Sequence, residues 1–100
     1  MGDPILDMLT RLRERPAFYL GRCSAETLFI YLQGYSQALE EHTTFDISKY
    51  VAFIESLYVK YGKGGGGHSW AWVLGQVMGN DTAALDLFFE ELMAFNVLTP

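Results

Sequence analysis

Residues 15–22, Arg-Pro-Ala-Phe-Tyr-Leu-Gly-Arg, limit how the chain can fold more than any other stretch of the sequence. Pro16 cannot continue a preceding helix, because it lacks a backbone N–H and biases the residue before it away from helical angles. Gly21 permits a tight reversal of the chain. The residues between them form an apolar plug, made of Phe18, Tyr19 and Leu20. We predict that Phe18 and Leu20 are more buried than the flanking arginines, because the plug seats the first helix against the second.

Apolar residues recur at helical spacing in five stretches, which predict helices near residues 4–14, 24–41, 46–61, 69–78 and 81–95. Asp3, Ser24 and Ser69 stand at N-cap positions, and Phe45–Asp46 resembles a hydrophobic staple followed by an N-cap. The second stretch has the strongest pattern, so we expect it to be the central helix. Within it, Gly34 predicts the close approach of a neighbouring helix, as a packing notch, or a bend. Residues from 96 onward are expected to form a tail.

The length and composition predict one domain, residues 1–100, with an all-α fold: a compact bundle of about five helices. The six residues Gly-Lys-Gly-Gly-Gly-Gly at 62–67 predict a flexible Gly-rich loop inside that domain, and an introduced linker is the alternative. Together with His68 and Ser69, this loop approaches the phosphate-binding G-x-x-x-x-G-K-[ST] pattern. Histidine replaces the required lysine, however, and the loop follows a helix instead of a strand, so nucleotide binding is disfavoured.

Charge is distributed unevenly along a chain whose formal net charge is −5 at pH 7. Residues 1–22 hold four arginines against three carboxylates, whereas residues 23–100 hold three lysines against nine carboxylates. An acidic body disfavours nucleic acid, because nucleic-acid binding requires neutralised phosphates. It favours a basic protein partner. Mild acidity that only keeps a small protein soluble is the alternative explanation.

No set of residues specifies a chemical reaction. The two histidines, His42 and His68, and the single cysteine, Cys23, have no zinc-ligand spacing and no indication that they meet. The sequence therefore predicts no enzyme activity, no cofactor and no metal. One cysteine, the absence of a leader-like N-terminus and the absence of a long apolar run predict a cytoplasmic protein without a membrane span.

The run Arg15-Pro16-x-Phe18-Tyr19-Leu20-Gly21, followed by Leu32-x-Gly34-Tyr35, resembles a pattern of small helical bacterial proteins, some of which are similar in size and acidity to immunity proteins of polymorphic or contact-dependent toxin systems. The resemblance covers about the first forty residues. It implies a cytosolic antidote that binds a cognate toxin domain.

The first functional hypothesis is accordingly a non-enzymatic, antitoxin-like immunity protein that neutralises a basic toxin domain. Its expected partner-binding residues are acids and an apolar tryptophan anchor: Glu40, Glu41, Trp70, Trp72, Asp86, Glu90 and Glu91. Since residues two apart on a helix diverge, only one of the two tryptophans is expected to face the core. The alternative function is a helical small-ligand-binding or regulatory module with a pocket near His68–Trp72. A structural homodimer that uses the surplus aromatic residues is a third hypothesis.

Overall fold

The computed structural model describes residues 3–62 and 67–98, and all regular structure in these ranges is helical. The helices are α1 (Pro4–Glu14), α2 (Pro16–Leu20), α3 (Ala25–His42), α4 (Ser48–Tyr61), α5 (Trp70–Met78) and α6 (Asp81–Leu98). The predicted all-α class is confirmed, and the five predicted helices correspond to α1 and α3–α6. The predicted tail is wrong at its start, because α6 continues to Leu98. Of the predicted Gly-rich loop, residues 63–66 lie outside the described residues.

Side-chain caps explain where four of the helices begin, with Asn80 before α6 accepting from the backbone N–H of Ala83 at 2.7 Å. The oxygens of Asp3, Ser24 and Ser69 accept hydrogen bonds from backbone N–H groups two or three residues later, at 2.9–3.1 Å. These three predicted caps are confirmed. The prediction that Asp46 is an N-cap is wrong by one residue, since Ile47 occupies that position and has no capping side chain. The Asp46 carboxylate instead accepts a hydrogen bond from the backbone N–H of Ser48, at 2.9 Å.

The apolar plug forms the short helix α2, which was not predicted. Pro16 is its first residue, and Gly21 ends it in the left-handed region at φ 79°, so the predicted reversal is confirmed. The predicted burial of Phe18 is wrong, because that residue is 74% exposed. In a helix, residues four apart share a face and residues two apart do not. Pro16 and Leu20 are therefore half-buried while Phe18 faces solvent.

The centre of the protein is the pair α5–α6, so the prediction that α3 is the central helix is wrong. Helix α5 packs closely against α6, α4 and α3, and α6 also packs against α3 and α4. One core joins side chains from five helices, represented by Leu9, Leu28, Phe53, Trp70 and Phe88. Helix α5 is short, but its buried residues form one broad apolar face, from which it packs against several neighbours.

Gly34 lies on the exposed side of α3, and the predicted close approach of another helix there is wrong. A Cβ atom built on Gly34 would meet no atom within 4 Å outside its own helix backbone and adjacent residues. The glycine therefore serves no packing purpose in the described residues. It leaves α3 with the conformational cost that glycine carries in any helix interior.

The beginning of α6 is tied to the beginning of α3. The Asp81 carboxylate accepts a hydrogen bond from the backbone N–H of Glu26 at 3.1 Å, and its second oxygen lies 3.9 Å from the guanidinium of Arg22. The hydroxyl of Thr82 donates to the carbonyl oxygen of Cys23 at 3.0 Å. These contacts fix the N-terminal ends of the two longest helices beside each other.

Candidate functional site: the cleft between α3 and α4

Helices α3 and α4 follow each other in the chain but do not pack closely together. Each of them packs mainly on α5 and α6. A cleft of about 640 Å³ lies between them. Phe29, Gln33 and Ser36 line its α3 side, and Val51 and Ile54 are among the α4 residues on the other side. A cleft of this volume falls within the range of about 300–1,000 Å³ that is usual for ligand sites.

Trp70 lies at the base of the cleft and is held there by aromatic contacts. Its indole stacks on the ring of Phe88, with ring centroids 4.4 Å apart, and the edge of Phe29 meets it at 6.0 Å. Only 2% of Trp70 is exposed. Trp70 is therefore the tryptophan that faces the core, and its role in partner binding stays a prediction to which this burial lends no support.

Two tyrosines of α4, Tyr50 and Tyr58, line the cleft. The Tyr58 hydroxyl donates to the carbonyl oxygen of His68 at 2.9 Å, which attaches α4 to the segment before α5. Burial, with a smaller contribution from the nearby Tyr58, raises the pKa of Tyr50 to about 12. Tyr50 therefore remains neutral at physiological pH.

Among the described residues that line the cleft and a groove next to it, the only charged side chains are carboxylates. Glu55 lines the main cleft. An adjoining groove of about 450 Å³ shares Ile47, Val51 and Glu55 with it and adds Glu40 and Asp46. No lysine or arginine lines either space in the described ranges. The cleft and the groove together form an acidic, partly apolar channel along α4.

Trp72 lines a different groove and not the cleft that has Trp70 at its base. It is 47% exposed, and the imidazole of His68 stacks on its indole with ring centroids 3.7 Å apart. That groove, of about 570 Å³, is bordered by Arg22 and Asp81 as well as by His68 and Trp72. The predicted pocket near His68–Trp72 therefore corresponds to two separate spaces, with His68 and Ser69 lining both.

The predicted acidic contacts do not form one site. Glu40 and Glu41 are exposed near the end of α3, whereas Asp86 and Glu90 are exposed on α6. Of these four, only Glu40 lines the channel along α4. Glu41 accepts a hydrogen bond from the side-chain amide of Gln37 at 2.8 Å.

Glu91 is the predicted acid that joins two helices. It is mostly covered, and its carboxylate accepts hydrogen bonds from Lys60 Nζ at 2.9 Å and from the Tyr61 hydroxyl at 2.7 Å. This pair connects α4 to α6. Its role as a partner contact stays a prediction, and a partner would have to share a carboxylate that already accepts from Lys60 and Tyr61.

Glu55 was not predicted as a site residue, although the sequence contains the signal for it. Ile47, Val51 and Glu55 are spaced four residues apart, so they share one face of a helix. Glu55 therefore extends an apolar face of α4, and this placement distinguishes it from the exposed acids of α6. What the sequence could not show is that α3 stays away from this face and leaves it open.

Within residues 3–62 and 67–98, no group of three or more histidine, cysteine or acidic residues is arranged to hold a metal ion. The helices in the same ranges lack the combination of length and apolar character needed to cross a membrane. Comparison of the chain with protein-family models, with curated proteins and with solved structures gives no match. The function must therefore be inferred from the surface itself.

Proposed function

We propose that this chain is a non-enzymatic binding protein that neutralises a basic protein partner, in the manner of the immunity proteins of bacterial toxin systems. The observation that carries the proposal is the number of exposed carboxylates that make no ion pair in the described ranges. Ion pairs there are limited to Arg22–Asp81 and Lys60–Glu91. The remaining exposed acids include Glu40, Glu41, Glu55, Asp86 and Glu90.

Unpaired carboxylates on several helices produce a negative field that attracts a positively charged protein and accelerates its association. Trp72 supports the same proposal, because it combines a large apolar surface with an exposed position on a rigid helix. Tryptophan is enriched among the residues that dominate binding energy at protein interfaces. An immunity protein needs no catalytic group, because it acts by covering a surface of the toxin.

The proposal is tested by co-expression. Cells producing the product of the gene beside this one should be protected by the present chain, and the two proteins should co-purify as a stoichiometric complex. Glu40→Gln with Glu41→Gln should lower the association rate and its dependence on salt, while Trp72→Ala should mainly raise the dissociation rate. An absence of both protection and complex with any adjacent gene product would count against an immunity function.

A second candidate function, a small-ligand-binding module, is favoured by the volume and aromatic lining of the main cleft. Native mass spectrometry of the protein purified without denaturation distinguishes the two candidates. A retained small molecule that disappears after Ile54→Trp, a substitution that fills the cleft, would favour the second candidate. A protein mass equal to that of the bare chain, together with a protein complex, would favour the first.

A further inference from the structure

We infer that the channel along α4, made of the α3–α4 cleft and its adjoining groove, binds a basic, partly apolar segment of the partner protein. This inference rests on the proposed function and assigns it a location. It selects one surface from the several acidic regions of the protein, and it excludes the acids of α6 from the main contact.

The two spaces form one continuous surface, because Ile47, Val51 and Glu55 line both of them. Ile47 is the N-cap residue of α4, Val51 and Glu55 follow on its successive turns, and Tyr58 continues the same face toward α5. From Ile47 to Tyr58 the helix rises about 16 Å, at 1.5 Å per residue. A surface of that length accommodates about three turns of a helical segment or about five residues of an extended one.

The charge of the channel selects a cationic occupant. Glu40, Asp46 and Glu55 border it, and no lysine or arginine among the described lining residues offsets them. Hydrogen bonds from the side chain and backbone of Ser48 hold the pKa of Asp46 below its usual value, so that this carboxylate stays charged in mildly acidic solution as well. An anionic or neutral segment would gain nothing from these groups.

The apolar lining selects a segment that is also partly apolar. Val51 is 40% exposed although it belongs to the face that α4 turns toward α3. Phe29 and Tyr58 add aromatic surfaces, against which a lysine or arginine side chain can pack through cation–π contacts. An arginine that reaches Glu55 from such a position would satisfy both the aromatic and the acidic groups.

The test uses two synthetic peptides with full-length protein. One is a twelve-residue amidated peptide of alternating leucine and arginine pairs, and the other has glutamate in place of each arginine. Binding is measured by fluorescence anisotropy at low and at physiological salt. We expect the arginine peptide to bind and the glutamate peptide not to bind. Amide chemical shifts should change on α4 and on the facing side of α3.

Matched variants separate the channel from general acidity. Glu40→Gln with Glu55→Gln should weaken the arginine peptide at least about fivefold, whereas Asp86→Asn with Glu90→Gln, the same change in net charge, should weaken it less than about twofold. Val51→Ser should also weaken binding. Val59→Ser is its control, because Val59 is on the same helix, is 87% exposed and does not line the channel.

Each contrary outcome identifies what has failed. If the two α6 substitutions weaken binding of the arginine peptide as much as the two channel substitutions do, the inference about the channel is overturned and the proposed function stands. If the arginine peptide binds no better than the glutamate peptide, the proposal that the partner is basic is contradicted. If sedimentation shows a dimer of the free protein that Val51→Ser dissociates, a second copy is the occupant and the inference is overturned.

Discussion

The carboxylate of Asp81 accepts a hydrogen bond from the backbone N–H of Glu26, which lies 55 positions earlier in the chain. The N–H belongs to the first turn of α3, where backbone donors have no partner within the helix. Asp81 itself lies in the first turn of α6. One carboxylate therefore serves two helix N-termini, where negative charge is favourable.

Asp81→Ala should lower the free energy of unfolding by about 0.5–2 kcal/mol, the usual cost of losing a helix cap. Chemical denaturation measures the change. Asp86→Ala is the control, because Asp86 is an exposed acid of the same helix and should change stability by less than about 0.5 kcal/mol. Equal effects of the two substitutions would show that the contact with Glu26 contributes nothing.

Phe18→Ala should be almost neutral for stability, within about 0.5 kcal/mol, because the exposed ring fills no core space. Phe88→Ala should cost about 3–5 kcal/mol, since its fully buried ring stacks on Trp70 and meets Phe53. Thermal or urea unfolding of the two variants gives the comparison. A large loss of stability for Phe18→Ala would support the predicted burial of Phe18 instead.

Gly34→Ala should stabilise the protein by about 0.5–1 kcal/mol, because alanine restricts the unfolded chain and space is available in the folded one. Gly79→Ala provides the contrast. Gly79 has a φ of 85°, so a Cβ there should cost roughly 1–2 kcal/mol despite equally open surroundings. Denaturant midpoints of the two variants should therefore move in opposite directions from wild type.

The contact of Lys60 and Tyr61 with Glu91 should make stability depend on pH. Burial alone would raise the pKa of Glu91, but hydrogen bonds from Lys60 and Tyr61 together outweigh burial and lower it. A lowered folded-state pKa contributes stability above the unfolded value of 4.5, and that stability is lost as the pH falls through the folded value. The hydrogen bond to Glu91 raises the pKa of Lys60, so the alkaline loss begins only above 10.5.

Melting temperatures of wild type and Glu91→Gln should accordingly differ most near neutral pH. They should begin to converge as the pH falls below 4.5 and should converge fully once it is below the lowered folded-state pKa of Glu91. Glu90→Gln is the matched control, because Glu90 is an exposed neighbour on the same helix. A difference between wild type and Glu91→Gln that persists unchanged at low pH would contradict an electrostatic origin.

The helices were predictable from sequence because their signals are local. Asp3, Ser24 and Ser69 cap helices whose apolar spacing extends over several turns, and both types of signal depend only on nearby residues. The predicted burial of Phe18 in the plug was wrong for a reason that is also local. Five residues from Pro16 to Leu20 form a helix of their own, and helical geometry turns Phe18 away from Leu20.

The candidate site was less predictable, because it depends on which helices remain apart. Nothing in the spacing of α3 or α4 indicates that these two consecutive helices leave a cleft between them. Glu55 and Asp46 matter only as parts of its lining. The two tryptophans show the limit of local reasoning: their divergence was predicted from helical spacing, but which one is buried depends on Phe88, eighteen positions beyond Trp70.

The absence of close packing between α3 and α4 has a consequence for protein synthesis. Their main neighbours, α5 and α6, leave the ribosome after them. A nascent chain that ends at Gly62 has three long amphipathic helices without the surfaces they are built to cover. We expect a fragment of residues 1–62 to show little cooperative unfolding by circular dichroism, and to recover it when a fragment of residues 67–100 is added. Cooperative folding of these helices would then begin only after α6 has been translated.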